Sequence, residues 1–150
     1  MNKFEPLLTI LKQNPRWNGH IHGQSHWHRV VANGHTLADH TPGVDREVVE
    51  LFGLLHDCKR ENDGIDPEHG FRAAQYAKSI RKLLPITDIQ FEILHHALAN
   101  HTDEIHNSDP TIGACYDADR LDLGRVGVTP KPHKLNTEFG KALAAKMPRG

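Results

Sequence analysis

The sequence has little of what a disulfide framework, a membrane span or a nucleic-acid footprint would need. It holds 2 cysteines in 150 residues. Cys58 and Cys115 lie far apart and outside any CxxC pair, which excludes a disulfide scaffold or zinc knuckle and suits a reducing compartment. No stretch reaches the roughly 18 consecutive apolar residues of a membrane helix. Met1 to Gln13 interrupts its apolar residues with Glu5, Pro6 and Lys12, so no signal-peptide core is read and the expected location is cytoplasmic. Neither sign of charge dominates: 18 basic against 19 acidic residues leave a formal charge of −1. That balance gives no basic face for a nucleic acid polymer and no polybasic segment for a membrane surface. Missing too are the GxSxG elbow, the GxxxxGK[ST] loop and HExxH, so serine-hydrolase, P-loop and zincin chemistries lack their nucleophile, phosphate cradle or base.

Strand-like alternation is nearly absent, and the chain reads as all-α. A first short helix carries Phe4, Leu7, Leu8 and Leu11, stopped at Asn14-Pro15. After a Gly-punctuated loop with His20 and His22, a second helix is expected from about Ser25, as N-cap, to Asp39. A third starts at Val44 or Asp45, carries Val48, Leu51, Phe52 and Leu55 on its core stripe, and ends at His56-Asp57. Asp66-Pro67-Glu68 resembles a helix start, with a stripe from His69 through Leu84 before Pro85. Thr87 or Asp88 opens a fifth helix to about His101, and a sixth carries Ile112, Cys115, Tyr116, Asp119 and Leu123 on one face. Thr137 caps a last helix. At this length one core is expected over residues 1–150, centred on residues 23–127, with residues 128–150 as an extension or lid.

What the sequence has in quantity is histidine, 13 in all, and helical phase sorts them. His26 shares a face with Val30, Asn33 and Leu37, whereas His28 and His35 lie opposite. At 100° per residue His101 departs by about 20° from the apolar direction of Phe91, Leu94, Ala97 and Leu98, His95 by about 100° and His96 by about 160°. Asp119 is a carboxylate on a core stripe, costly unless paired or metal-bound, with Asp117 and Asp122 flanking it. Each of these groups alone reads as a buried side chain satisfied by a hydrogen bond. Together, His26, His56, Asp57, His69, His101 and Asp119 are what a helical bundle needs to build a metal site from facing side chains. A mixture of imidazole and carboxylate suits Mn, Fe, Co, Ni or Zn, and six groups are enough for one or two ions.

The ordered pattern of His26, His56-Asp57 and Asp119, the last within Asp117-Ala118-Asp119-Arg120-Leu121-Asp122, resembles the H...HD...D signature of the HD-domain metal-dependent phosphohydrolases. The stretches from His22 to Val30, His56 to Arg60 and Asp66 to Gly70 are similar to a small single-domain bacterial branch of that superfamily. The resemblance covers roughly residues 23–127 and implies an HD-type helical bundle of about six or seven helices. It implies that His26, His56, Asp57 and Asp119 bind a first divalent metal, that Asp57 bridges to a second, and that His69 and His101 are similar to the extra histidines of binuclear members. Arg60 stands where the family often has lysine, and no Gly-Tyr-Pro extension is present, which argues against the cyclic dinucleotide phosphodiesterases.

The expected activity is hydrolysis of a nucleotide or similar small phosphate ester through a metal-activated water. Asp57 would orient or bridge the metal, and Arg60 would hold phosphate. His22 and Arg120 are the further substrate-binding candidates, with Lys59 and Arg29 weaker ones. Two other readings use the same residues: an iron-dependent oxygenase, and a metal- or nucleotide-binding regulatory protein without turnover.

Overall fold

The computed structural model describes residues 2–148 and is helical throughout: α1 (Glu5–Leu11), α2 (Gln24–His40), α3 (Arg46–Leu55), α4 (His69–Ser79), α5 (Asp88–Asn100), α6 (Pro110–Arg120) and α7 (Glu138–Lys146). Three 3-10 turns join them, at Arg81–Leu83, Leu123–Val126 and Pro132–Lys134. Among the described residues there is no strand, and no helix is long and apolar enough to cross a membrane.

Helix α3 is the central element. Val48, Val49, Leu51, Phe52, Leu54 and Leu55 are all buried, and burying each such side chain contributes about 1.5 to 3 kcal/mol. These residues cover most of the helix circumference, leaving only the face of Arg46, Glu47 and Glu50 to solvent, and α2, α5 and α6 all pack on α3. Gly53 permits the tightest of these contacts, because a Cβ there would come within 2.9 Å of the Val31 backbone nitrogen on α2. Asp45 starts α3 by accepting from the backbone N–H groups of Glu47 and Val48. Thr87 and Gln90 form a full capping box at α5, Asp109 caps α6 ahead of Pro110, and Thr137 caps α7.

Expected boundaries differ at three helices. Helix α6 stops at Arg120 and leaves Leu123 in the following 3-10 turn, and α4 opens at His69 with Glu68 rather than Asp66 at its N-cap. Helix α2 begins at Gln24, with Gly23 rather than Ser25 at the N-cap and no side-chain cap; the Trp27 indole, donating to the His22 carbonyl at 2.7 Å, ties down this end instead. Helix α4 stops at Ser79 rather than reaching Leu84, because the chain tightens into the Arg81–Leu83 turn. The Arg81 guanidinium holds that turn by donating to the carbonyls of Leu84 and Ile86.

Candidate metal centre

All the candidate ligands sit at or near helix ends, where a bundle can aim side chains inward without breaking its backbone ladder. His26 lies in the first turn of α2, His56 caps the C-terminus of α3 with Asp57 next, His69 opens α4, His101 caps the C-terminus of α5, and Asp119 is in the last turn of α6. The histidines and Asp57 are buried. Asp119 keeps 19% of its side chain exposed, so the cluster opens toward solvent on the α6 side. Gly70 allows α4 to lie close to α5, since a Cβ there would come within 2.6 Å of the Leu98 carbonyl oxygen and 3.2 Å of the His101 ring. That approach lets His69 meet His101.

The donor atoms form two groups sharing one carboxylate. In the first, His26 Nε2 lies 2.9 Å from His56 Nε2, 3.3 Å from Asp57 Oδ2 and 3.2 Å from Asp119 Oδ1. His56 Nε2 is 3.3 Å from Asp119 Oδ1 and 3.6 Å from Asp57 Oδ2. In the second, His69 Nε2 is 3.0 Å from His101 Nε2 and 3.2 Å from Asp57 Oδ1. Ligand atoms on one ion with bonds of roughly 2.0 to 2.2 Å stand about 3.0 to 3.6 Å apart in octahedral or tetrahedral sites, and these separations fall close to that range. Asp57 turns Oδ2 to one group and Oδ1 to the other.

The outer nitrogens fix how the rings present themselves. Nδ1 of His56 faces the Phe52 and Gly53 carbonyls, Nδ1 of His69 faces the Asp66 carbonyl at 2.6 Å, and Nδ1 of His101 faces the Leu98 carbonyl at 2.8 Å. His26 Nδ1 faces Asp122 Oδ2 at 2.7 Å. With Nδ1–H donated outward, every Nε2 turns a lone pair inward, and each Nε2 pair needs a positive centre, a proton or a metal, between its members. The orphaned Asp119 Oδ1 makes the same demand: it is shielded from solvent and lies beside two imidazole nitrogens, yet has no hydrogen-bond partner among the described residues. These donors fit a divalent ion in each group.

Without an ion the charges compensate one another. Burial works against a charge on His26, but the carboxylates of Asp119, Asp122 and Asp57 prevail and raise its pKa to about 10. Burial likewise opposes ionisation of Asp57 and Asp119, yet the surrounding histidines, His56 foremost, hold both well below the usual carboxylate range. His101 is the contrary case: burial dominates and lowers its pKa to about 4, so it presents a neutral ring at physiological pH.

The architecture has a solved counterpart. A crystal structure described as a predicted HD superfamily hydrolase, from an uncultured Thermotogales bacterium, superposes with a TM-score of 0.74, covering 94% of this chain and 82% of that one at 24% sequence identity. The fold is that of the HD domain. No protein-family model matches the sequence, and no curated protein does.

On this HD fold the remaining candidates take different places. His22 is buried beside the cluster, Nδ1 3.2 Å from Asp57 Oδ2 and Nε2 3.3 Å from the Asp63 carbonyl, so it braces Asp57. Arg60 places Nε 3.4 Å from Asp57 Oδ1 and donates through Nη1 to the carbonyls of Asn62 and Gly64. Arg120 donates through Nη1 to the Ile105 and Lys134 carbonyls and through Nη2 to that of Glu104. Both terminal nitrogens are thus committed to backbone, and the residue clasps the loop after α5 to the segment before α7, on the wall of a cavity it shares with Thr102, Leu123 and Lys131. Arg29 pairs with Asp122 at 2.8 Å, and Lys59 lies over the Tyr76 ring. His95 and His96 lie outside both groups, as their helical phase requires, and His96 pairs with Glu104.

Two neighbours of the site have no strong signal in the sequence. Asp122 lies just beyond α6, where helical phase no longer applies, and orients His26. Arg125, on the following turn, reaches back to 3.8 Å from Asp119 Oδ1. Asp117, buried on α6, turns away from the cluster and accepts from the backbone N–H groups of Asn136 and Thr137 and from the Thr137 hydroxyl.

Proposed function

We propose that the protein is a metal-dependent phosphohydrolase acting on a nucleotide or a similarly small phosphate ester. The observation that carries this reading is the Asp57 carboxylate, with one oxygen in each of two histidine-containing donor groups, an arrangement suited to a pair of ions sharing a ligand. His26, His56, Asp57 and Asp119 would hold one ion, and Asp57, His69 and His101 a second, of the Mn, Fe, Co, Ni or Zn type. Such ions supply a water acidic enough to attack at neutral pH and neutralise charge on the phosphoryl oxygens.

The chain's own residues do the rest. Asp57 stays ionised despite full burial because histidines surround it, with His22 and Arg60 bracing it from outside the ligand groups. Asp122 keeps the Nδ1 proton of His26 pointing away from the cluster, leaving Nε2 available as a donor to the ion. Burial keeps the His101 ring neutral for the same purpose. The α6 edge, where Asp119 is partly exposed, is the approach for substrate. The near-zero net charge favours a small substrate over a polymer.

The test is metal analysis of the purified protein followed by a phosphate-release screen over nucleotides and sugar phosphates, run with and without oxygen. Metal-dependent, oxygen-independent release supports the reading. A strict need for oxygen would point to the oxygenase, and bound metal without turnover on any phosphate ester to a regulatory role.

A further inference from the structure

Arg125 lies in the Leu123–Val126 turn just beyond α6, and only 10% of its side chain is exposed. An arginine on a surface turn normally sends its head group into water. Here Nε donates to the carbonyl of Ile21, in the loop before α2, at 3.1 Å, and Nη1 donates to the carbonyl of Asp122 at 2.9 Å. Those two bonds fix the guanidinium across the gap between α2, which carries His26, and α6, which carries Asp119. The remaining nitrogen, Nη2, stands 3.8 Å from Asp119 Oδ1 and makes no hydrogen bond among the described residues. The Nε2 atoms of His26 and His56 lie nearer to Asp119 Oδ1, at 3.2 and 3.3 Å, and at 3.8 Å Arg125 Nη2 stands beyond hydrogen-bond reach of it.

The other nearby arginines are placed differently. Arg120 has both terminal nitrogens on carbonyls, and Arg60 braces its own loop and Asp57. Arg60 also leaves Nη2 without a hydrogen bond among the described residues, but Arg125 is the one of the three tied both to the loop before α2 and to the turn after α6, with its unbonded terminal nitrogen beside Asp119. A guanidinium held rigid by two backbone acceptors loses little freedom when its remaining donors meet an oxyanion, and its charge strengthens those bonds.

We propose that Arg125 is the residue that recognises the phosphoryl group, its Nη2 donating to a non-bridging oxygen of a phosphate seated against the Asp119 side of the cluster. This rests on the phosphohydrolase reading. The experiment uses the full chain loaded with manganese and titrates inorganic phosphate by calorimetry into the unsubstituted protein, Arg125→Ala and Arg125→Lys, with metal content and melting temperature measured on each. The alanine variant is expected to bind phosphate roughly 10 to 100-fold more weakly, the loss of one charged hydrogen bond, with metal content unchanged. The lysine variant, with the charge but not the anchored fork, is expected to fall between. Phosphate binding in Arg125→Ala as tight as in the parent overturns the assignment. So does metal loss in both variants in step with the loss of phosphate, which would make Arg125 a support for Asp119. Failure of the unsubstituted, manganese-loaded protein to bind phosphate would overturn the phosphohydrolase reading itself, and this assignment with it.

Discussion

Replacing Asp122 tests whether the cluster is a metal site, without touching an atom proposed to contact metal. Its Oδ2 sits 2.7 Å from His26 Nδ1 and its Oδ1 accepts from Arg29 Nε at 2.8 Å. Removing the partner of a ligating imidazole frees the ring to turn and lowers its basicity, typically weakening metal binding 10 to 100-fold, or about 1.4 to 2.7 kcal/mol. Asp122→Ala should show that loss. Asp122→Asn can still accept from Nδ1–H through its amide oxygen and should lose less. The size of the effect should vary with pH, and the sign can be worked out. Asp122 is one of the carboxylates raising the His26 pKa to about 10, so at pH 7 a metal must displace a proton there that the variant holds less tightly. The alanine variant is spared part of that cost near neutrality, so its deficit should widen as pH rises toward 10. Competition with a chromophoric chelator, repeated at pH 7, 8 and 9, measures it. An affinity equal to the parent's at every pH would refute the argument. So would an equal loss in Arg29→Ala, since that would assign the effect to the surface ion pair.

Metal binding to the first group should tighten by about tenfold per pH unit between pH 7 and 9, as the metal replaces one proton on His26, and chelator competition in the parent reads this slope directly. Thermal melts with excess chelator should show the metal-free protein most stable near pH 6.5, the ordinary histidine value. Above it the His26 contribution is lost as pH rises toward about 10, and below it the His101 contribution is lost as pH falls toward about 4, a flat profile across that span being the contrary result. Asp57→Ala removes the carboxylate common to both groups and should abolish bound metal while destabilising the metal-free fold by about 3 to 5 kcal/mol, because buried partners lose their counter-charge; full metal stoichiometry would contradict it. Asp117→Ala should cost about 2 to 4 kcal/mol in denaturant unfolding through the unpaired N–H groups of Asn136 and Thr137, yet leave metal content intact, and lost metal would show that the α7 segment supports the site.

Helical phase and capping chemistry made much of the fold legible, since both are local. Asp45, Thr87 and Thr137 start their helices as side-chain caps, and the residue three or four places on already shows the pattern. The separation of His101 from His95 and His96 was legible for the same reason: Leu94, Ala97 and Leu98 are the buried residues of α5 and set its inward direction, and a helix wheel needs no tertiary knowledge. The start of α2 was not, because the indole of Trp27 and the tight loop behind Gly23 replace the cap that Ser25 would have supplied. The backbone partners of Arg120 were not legible, because carbonyls do not show in a sequence. The three it binds come from Glu104, Ile105 and Lys134, 14 to 16 residues away, and any arginine near an acidic cluster looks available until its partners are placed.

The residues to which the sequence assigned no role share a property with Arg120. Asp122 and Arg125 lie past the end of α6, where the chain no longer repeats at 3.6 residues and phase carries no information. Both act through a second element, Asp122 through His26 on α2 and Arg125 through the Ile21 carbonyl ahead of α2. The inward-facing donors themselves can be read one helix at a time, because each must sit on an apolar stripe at a desolvation cost. The groups that orient them owe nothing to a stripe. They are set by the closing of α6 on α2, so the part of the site that tunes His26, and the arginine beside Asp119, became visible only once those two helices were packed.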